Sequence, residues 1–127
     1  MKYLSDYTEL AQTELFERLG IFFAFSNKQF DEGKKEGVKY CSLGAGTICP
    51  AGKVKEFLDS IDLIVKAGIQ RDLAENGREG VILRELANHE CYYTGDISDC
   101  VDKLEDYGIT ADEIRPVFNR EWANQTA

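Results

Sequence analysis

The sequence predicts an α+β domain, a small antiparallel sheet packed against a helical C-terminal half. Three observations carry this reading. The first half alternates helical periodicity with short β-favouring runs in the order α-β-α-β-β. A glycine-bearing turn, Gly44-Ala45-Gly46, links two of those runs. From Val54 onward the apolar residues recur only at helical spacing. About three strands with one hairpin are expected, in a single domain over 1–127, long enough to form a core without disulfide or metal staples.

Tyr7, Leu10, Ala11, Leu15 and Leu19 mark one face of a first helix, and Gly20 suits its C-terminal cap. Ile21 to Phe25 carries three phenylalanines in five residues and reads as a buried strand. Ser26 and Gln29 have the spacing of a capping box, and Phe25 and Phe30 that of the hydrophobic staple around it. A short helix should therefore run to about Lys34, and the aromatic residues of this corner are read as core. Val38 to Leu43 and Thr47 to Cys49 form the hairpin. Its glycine turn also suggests a phosphate cradle, but GxxxxGK[ST] is absent and the turn opens no helix, so turn geometry accounts for it.

The clearest helix follows. Val54, Phe57, Leu58, Ile61, Ile64 and Val65 form its apolar stripe, with Lys55, Glu56, Asp59, Asp62 and Lys66 opposite. Gly68 marks a bend or an end, and Gly77 and Gly80 bound a loop. The Asp72 to Glu85 region suggests a calcium loop, but counted from Asp72 the third and twelfth positions are Ala74 and Leu83, where oxygen ligands are required, and calcium is rejected. Val81, Ile82, Leu83 and Leu86 support another helix. Asp96 can cap the next, whose face is Ile97, Cys100, Val101, Leu104 and Tyr107, ending at Gly108. Thr110 and Glu113 make a second capping box, with Ile109 and Ile114 as its staple. Pro116 should bend or restart the last helix, Trp122 should anchor it, and the tail from Ala123 to Ala127 should fray.

The formal net charge of −8 disfavours direct binding to nucleic acid, a like-charged polymer, and suits a basic protein partner. No apolar run is long enough to span a bilayer, so no membrane role is expected. The start, Met1 to Asp6, shows no extended apolar segment; no secretory signal and a cytoplasmic location are expected. Cys41, Cys49, Cys91 and Cys100 form no CxxC pair and read as small hydrophobes rather than zinc ligands. No metal or other cofactor is expected.

The stretch richest in chemistry is Asn88 to Asp96, which holds the single histidine. HExxH fails because position 93 is Tyr, and GxSxG is absent. Cys91 is two residues from His89, a spacing that does not bring side chains face to face on a helix. His89 therefore reads as a residue of a helix C-terminus, and Tyr92 and Tyr93 as split between core and surface. Asp31, Glu32, Asp102, Glu105 and Asp106 read as solvated helix faces. No catalytic residue is assigned, and the balance is against an enzyme. As a binding surface for a ligand or partner, the candidates are Asn88, His89, Glu90, Tyr92, Tyr93 and Asp96.

Two blocks, Phe23 to Lys34 (FAFSNKQFDEGK) and Asn88 to Asp96 (NHECYYTGD), resemble those of small uncharacterised proteins of bacteriophages and mobile elements. The resemblance implies no activity. It implies a phage or prophage origin, with the host-cell cytoplasm as location. Two functions follow from different classes. One is a non-enzymatic interaction protein acting through its acidic surface on a host or anti-phage factor, with a homodimer allowed. The other is a small-ligand module for a nucleotide or metabolite, using the Asn88–Asp96 connection beside the Phe25–Phe30 corner.

Overall fold

Helix α1 (Leu4–Leu19) stops at Gly20, where the amide of Gly20 reaches the carbonyl of Glu17 and that of Ile21 reaches Phe16. These two bonds close the last turn as a Schellman motif, satisfying carbonyls the helix leaves open. The computed structural model describes residues 2–126, with the side chains of residues 2–124. The chain divides into two compact units. One is Ser5–Gly68; the other joins the residues up to Leu4 with those from Ile69 onward.

In the first unit, β1 (Phe22–Phe23), β2 (Tyr40–Ser42) and β3 (Thr47–Pro50) form a three-stranded antiparallel sheet in the order β1-β3-β2. The register pairs Phe22 with Ile48 and Phe23 with Thr47 on one side, and Cys41 with Cys49 and Ser42 with Ile48 on the other. Because side chains alternate along a strand, the sheet has two distinct faces. One lies on a core of Leu15, Leu19, Ile21 and Cys49, against which Phe16, Leu43, Val54, Phe57, Ile61 and Ile64 pack. The other carries an aromatic trio: Phe22, Phe30 and Tyr40 have ring centroids 5.4–6.1 Å apart, two of the three pairs edge to face. Phe30 comes from α2 (Asn27–Gly33), so this short helix covers the second face.

The aromatic corner is thus only partly core. Ile21 is buried and Phe22 half-buried, but Phe23 is exposed and Phe25 is 74% exposed. The capping box forms with a shift. Ser26 Oγ accepts from the Gln29 amide at 3.2 Å, while Gln29 Oε1 accepts from the amide of Phe25, 2.7 Å away, rather than from that of Ser26. The Phe25–Phe30 staple is replaced. Phe25 lies over Gly46 of the hairpin turn, occupying the space a Cβ would need there, and Phe30 joins the trio. Gly46 has φ +77° as well, so both the turn and the ring require glycine at that position.

Leu10 departs from the predicted face of α1 and is 73% exposed. At 100° per residue it points about 140° away from Leu15, so the two cannot share a stripe. Leu58 is also exposed, at the margin of the stripe it was assigned to.

The expected loop between Gly77 and Gly80 does not form. Helix α3 runs Val54–Asn88, through Gly68 and Gly80, and only Gly77 leaves helical geometry, at φ 72° and ψ 163°. Gly77 breaks the helical geometry, so α3 is two helical segments joined at a kink, the apolar residues resuming their helical spacing on the far side.

The second unit continues with α4 (Cys91–Thr94), α5 (Ser98–Leu104) and α6 (Ala111–Thr126), so the C-terminal half is helical. Cys100, Leu104, Tyr107, Ile109 and Ile114 are buried, as their spacing predicts. The Thr110–Glu113 box is replaced: Glu113 is held by Arg78 through two bonds of 2.7 Å, and Arg78 also donates to the Gly108 carbonyl at 2.9 Å. A bidentate guanidinium contact outcompetes a backbone amide for the carboxylate. Helix α6 does not restart at Pro116; it is continuous from Ala111 to Thr126, and Ala127 lies outside the described residues. Trp122 leans on Phe118, with ring centroids 5.5 Å apart.

Candidate functional site

The chemistry of the second unit centres on the part of α3 beyond Ile69. Asp72 and Arg84 are twelve residues apart on that helix, and their side chains are 0% and 3% exposed. The guanidinium grips the carboxylate with Nη1 to Oδ1 at 2.8 Å and Nη2 to Oδ2 at 3.0 Å. Tyr107 donates its hydroxyl to Asp72 Oδ2 at 2.5 Å, and Asn76 donates to Oδ1 at 2.7 Å. Arg84 also donates to the Lys2 carbonyl at 2.9 Å and lies 5.6 Å from the centroid of Tyr3, tying the start of the chain to this unit.

Burial pushes the Asp72 carboxyl up, but the hydrogen bonds from Arg84, Tyr107 and Asn76 outweigh it and leave the group below the usual carboxylate range. Burial and the bond to Asp72 drive the Tyr107 phenol well above its ordinary value. Arg84 is disfavoured as a cation by burial, yet Asp72 holds it firmly protonated.

A second buried carboxylate, Glu85, connects this network to the Asn88–Asp96 connection. It is held less tightly, with Arg84 Nη2 and Asn88 Nδ2 each at 3.4 Å and His89 Nε2 at 3.8 Å. Two buried carboxylates thus face one guanidinium, and His89 adds a second positive charge only when protonated.

The six residues singled out from sequence do not converge on one point. Asn88 and His89 turn back towards Glu85. Glu90 holds a left-handed backbone at φ 55°, a conformation a glutamate adopts at a cost of roughly 1–3 kcal/mol. Tyr92 stacks on Phe118 with ring planes 8° apart, and burial raises its phenol, as do Glu121 and the nearby cysteines. Tyr93 points away and is 89% exposed. Asp96 does not cap α5 as its spacing suggests, since Ile97 holds the N-cap position without a side-chain cap; Asp96 instead accepts from the amide and the hydroxyl of Ser98 in an Asx turn just ahead of the helix, and these bonds lower its carboxyl.

Asp96 lines an open hollow of about 340 Å³ with Gly95, Ile97, Ser98, Val101, Asp102 and Arg115. Cys91 and Cys100 are buried, and burial pushes their thiols up, that of Cys100 to about 12. Buried thiols with raised pKa values are poor nucleophiles. Among the described residues no three His, Cys, Asp or Glu side chains come together as a metal site.

None of Asp72, Arg84, Glu85 and Tyr107 is assigned to a site from sequence, Asp72 standing only at the head of the rejected calcium loop and Tyr107 only on an apolar face, although a signal existed. Glu85 falls three and four residues after Ile82 and Val81, and Asp72 three after Ile69, so both carboxylates occupy apolar-stripe positions. Charge on a core face demands a buried partner.

The fold and this site define a small α+β protein with an antiparallel three-stranded sheet, a helical C-terminal half and a buried ion network within it. Residues 4–123 match a family of unknown function, DUF7659, and the chain belongs to that family. No curated protein and no solved structure matches it. Among the described residues no helix is long and apolar enough to cross a membrane.

Proposed function

We propose that this chain is a non-enzymatic interaction protein that engages a basic protein partner through the exposed acidic surface of the stretch from Glu90 to Asp106. One observation carries the reading. Between Glu90 and Asp106 six carboxylates (Glu90, Asp96, Asp99, Asp102, Glu105 and Asp106) stand against the single basic residue Lys103, and all six are exposed. Such a face raises the encounter rate with a cationic surface and repels nucleic acid. Tyr93, exposed beside it, supplies the rigid amphipathic ring that interfaces favour. The two blocks that resemble phage and mobile-element proteins favour a phage-encoded chain working in the host cytoplasm, with a host or anti-phage factor as the partner.

The test is capture from host lysate with wild type and with an Asp99→Lys/Asp102→Lys variant. A basic partner should be retained by wild type, lost with rising salt, and lost with the variant. Asp59→Lys/Asp62→Lys, on α3 of the other unit, should leave capture unchanged. Capture indifferent to reversal at 99 and 102 would overturn the reading.

The hollow beside Asp96 favours a second reading, a small-ligand module, because Arg115 lies there with Asp96, Asp102 and Ser98. A nucleotide or metabolite that raises the melting temperature of wild type but not of Arg115→Ala would support it. A full screen that moves neither protein counts against it.

A further inference from the structure

We propose that Cys41 and Cys49 are a redox-active dithiol, with Cys41 as the attacking thiol and Cys49 as the resolving one, and a small-molecule disulfide as the oxidant. The two residues are direct partners across β2 and β3, so their side chains project from the same face of the sheet. The bonds from the Leu43 amide to the Thr47 carbonyl (2.9 Å) and from the Ala51 amide to the Lys39 carbonyl (2.8 Å) bracket them. That alternation makes Cys41–Cys49 a hydrogen-bonded pair, for which Cα atoms stand about 5.5 Å apart, within the roughly 4.4–6.8 Å a disulfide spans. Their Cβ atoms need to close by on the order of 1 Å. Strand β2 can supply that movement, since it is an edge strand hydrogen-bonded on one side only.

The two thiols differ in access. Cys41 is exposed and Cys49 is 0% exposed, held in the sheet's core face and donating to the Pro50 carbonyl at 3.5 Å. Burial, and then Cys41 itself, push the Cys49 thiol up, so it stays protonated and unreactive until a sulfur directly across the strand becomes electrophilic. The order of events follows from this. The Cys41 thiolate attacks the small disulfide, forming a mixed disulfide and expelling one thiolate. Cys49 then attacks the Cys41 sulfur and expels the second. Both protein protons pass to the leaving thiolates, and two electrons move from the protein to the small disulfide. Closing a hairpin pair under slight strain gives a readily reduced bond, suited to reversible use.

The experiment incubates the folded full chain with oxidised glutathione, quenches in acid, and reads intact mass and peptide maps. Wild type should lose two hydrogens with no adduct, with the bond mapped to Cys41 and Cys49. Cys41→Ser should not react, and Cys49→Ala should stall as a glutathione adduct at Cys41. A dithiol reductant should restore wild type. Because Cys49→Ala removes buried volume, its far-ultraviolet circular dichroism is checked against wild type, and the wild-type product decides alone if that variant is unfolded. Wild type that stalls as the Cys41 adduct, fails to react, or links Cys91 to Cys100 instead overturns the proposal.

Discussion

Replacing Arg84 with methionine is expected to remove about 3–5 kcal/mol of stability and to lower the melting midpoint by on the order of 10–20 °C. Methionine fills much the same volume, so the loss is electrostatic. It leaves Asp72 and Glu85 as buried carboxylates without the guanidinium, Asp72 keeping Tyr107 and Asn76 as donors, and it removes the contacts Arg84 makes with the Lys2 carbonyl and the ring of Tyr3. Urea titration followed by circular dichroism measures the change. The Asp72→Leu/Arg84→Met double variant should recover the part of the loss that Asp72 carries, because an apolar pair requires no desolvation of charge, while Glu85 stays without the guanidinium in both variants. A single variant within 1 kcal/mol of wild type would mean that the ion pair is not the buried network described above.

The same network sets a pH window. The Asp72 carboxyl titrates below its unfolded value of about 3.9, so its contribution is present above that pH and is lost as pH falls through the folded value. Tyr107 is raised above its unfolded value of about 10, so its contribution is full below that pH and fades as pH climbs towards the folded value. Asp72→Asn should flatten the acid limb of the stability curve, and Tyr107→Phe the alkaline limb.

What could be read from the sequence was local. The stop at Gly20, the Ser26–Gln29 cap, the glycine hairpin and the face from Ile97 to Tyr107 are each written within a few residues, and each is present. The misreadings arose where a distant residue competes. Phe25 satisfies the local rule for a staple, but Gly46 offers it a flat seat from the hairpin. Glu113 satisfies the rule for a capping box, but Arg78 offers two strong donors. Gly77 and Gly80 look alike in sequence, yet only Gly77 leaves the helix, because apolar spacing on either side outweighs the roughly 1 kcal/mol helix penalty of a glycine such as Gly80. The buried ion network was missed for the same reason: Asp72, Arg84 and Tyr107 are far apart in sequence and meet only through the kinked helix and the short 3-10 turn, Glu105–Tyr107, that follows α5.

Ile61→Asp should be the most damaging single change on the first part of α3, removing about 2–4 kcal/mol. Ile61 is half-buried and packs, with Val54, Phe57 and Ile64, against the core of Leu15, Leu19, Ile21 and Cys49. Aspartate there loses the apolar contact and carries a carboxylate to the floor of the sheet, where no basic side chain is among the core residues. Partial exposure keeps the loss below that of a fully buried site. Leu58→Asp is the control. Leu58 is one turn away on the same helix and belongs to the same sequence pattern, but it is exposed, so its replacement should change stability by no more than about 0.5 kcal/mol. Equal losses at 58 and 61 would mean that the stripe faces a broader surface than the sheet core, and an unaffected Ile61 variant would remove α3 from that core altogether. A large loss at 61 beside a small one at 58 would place the boundary of the core between two neighbouring turns of one helix, a distinction that helical periodicity alone cannot make.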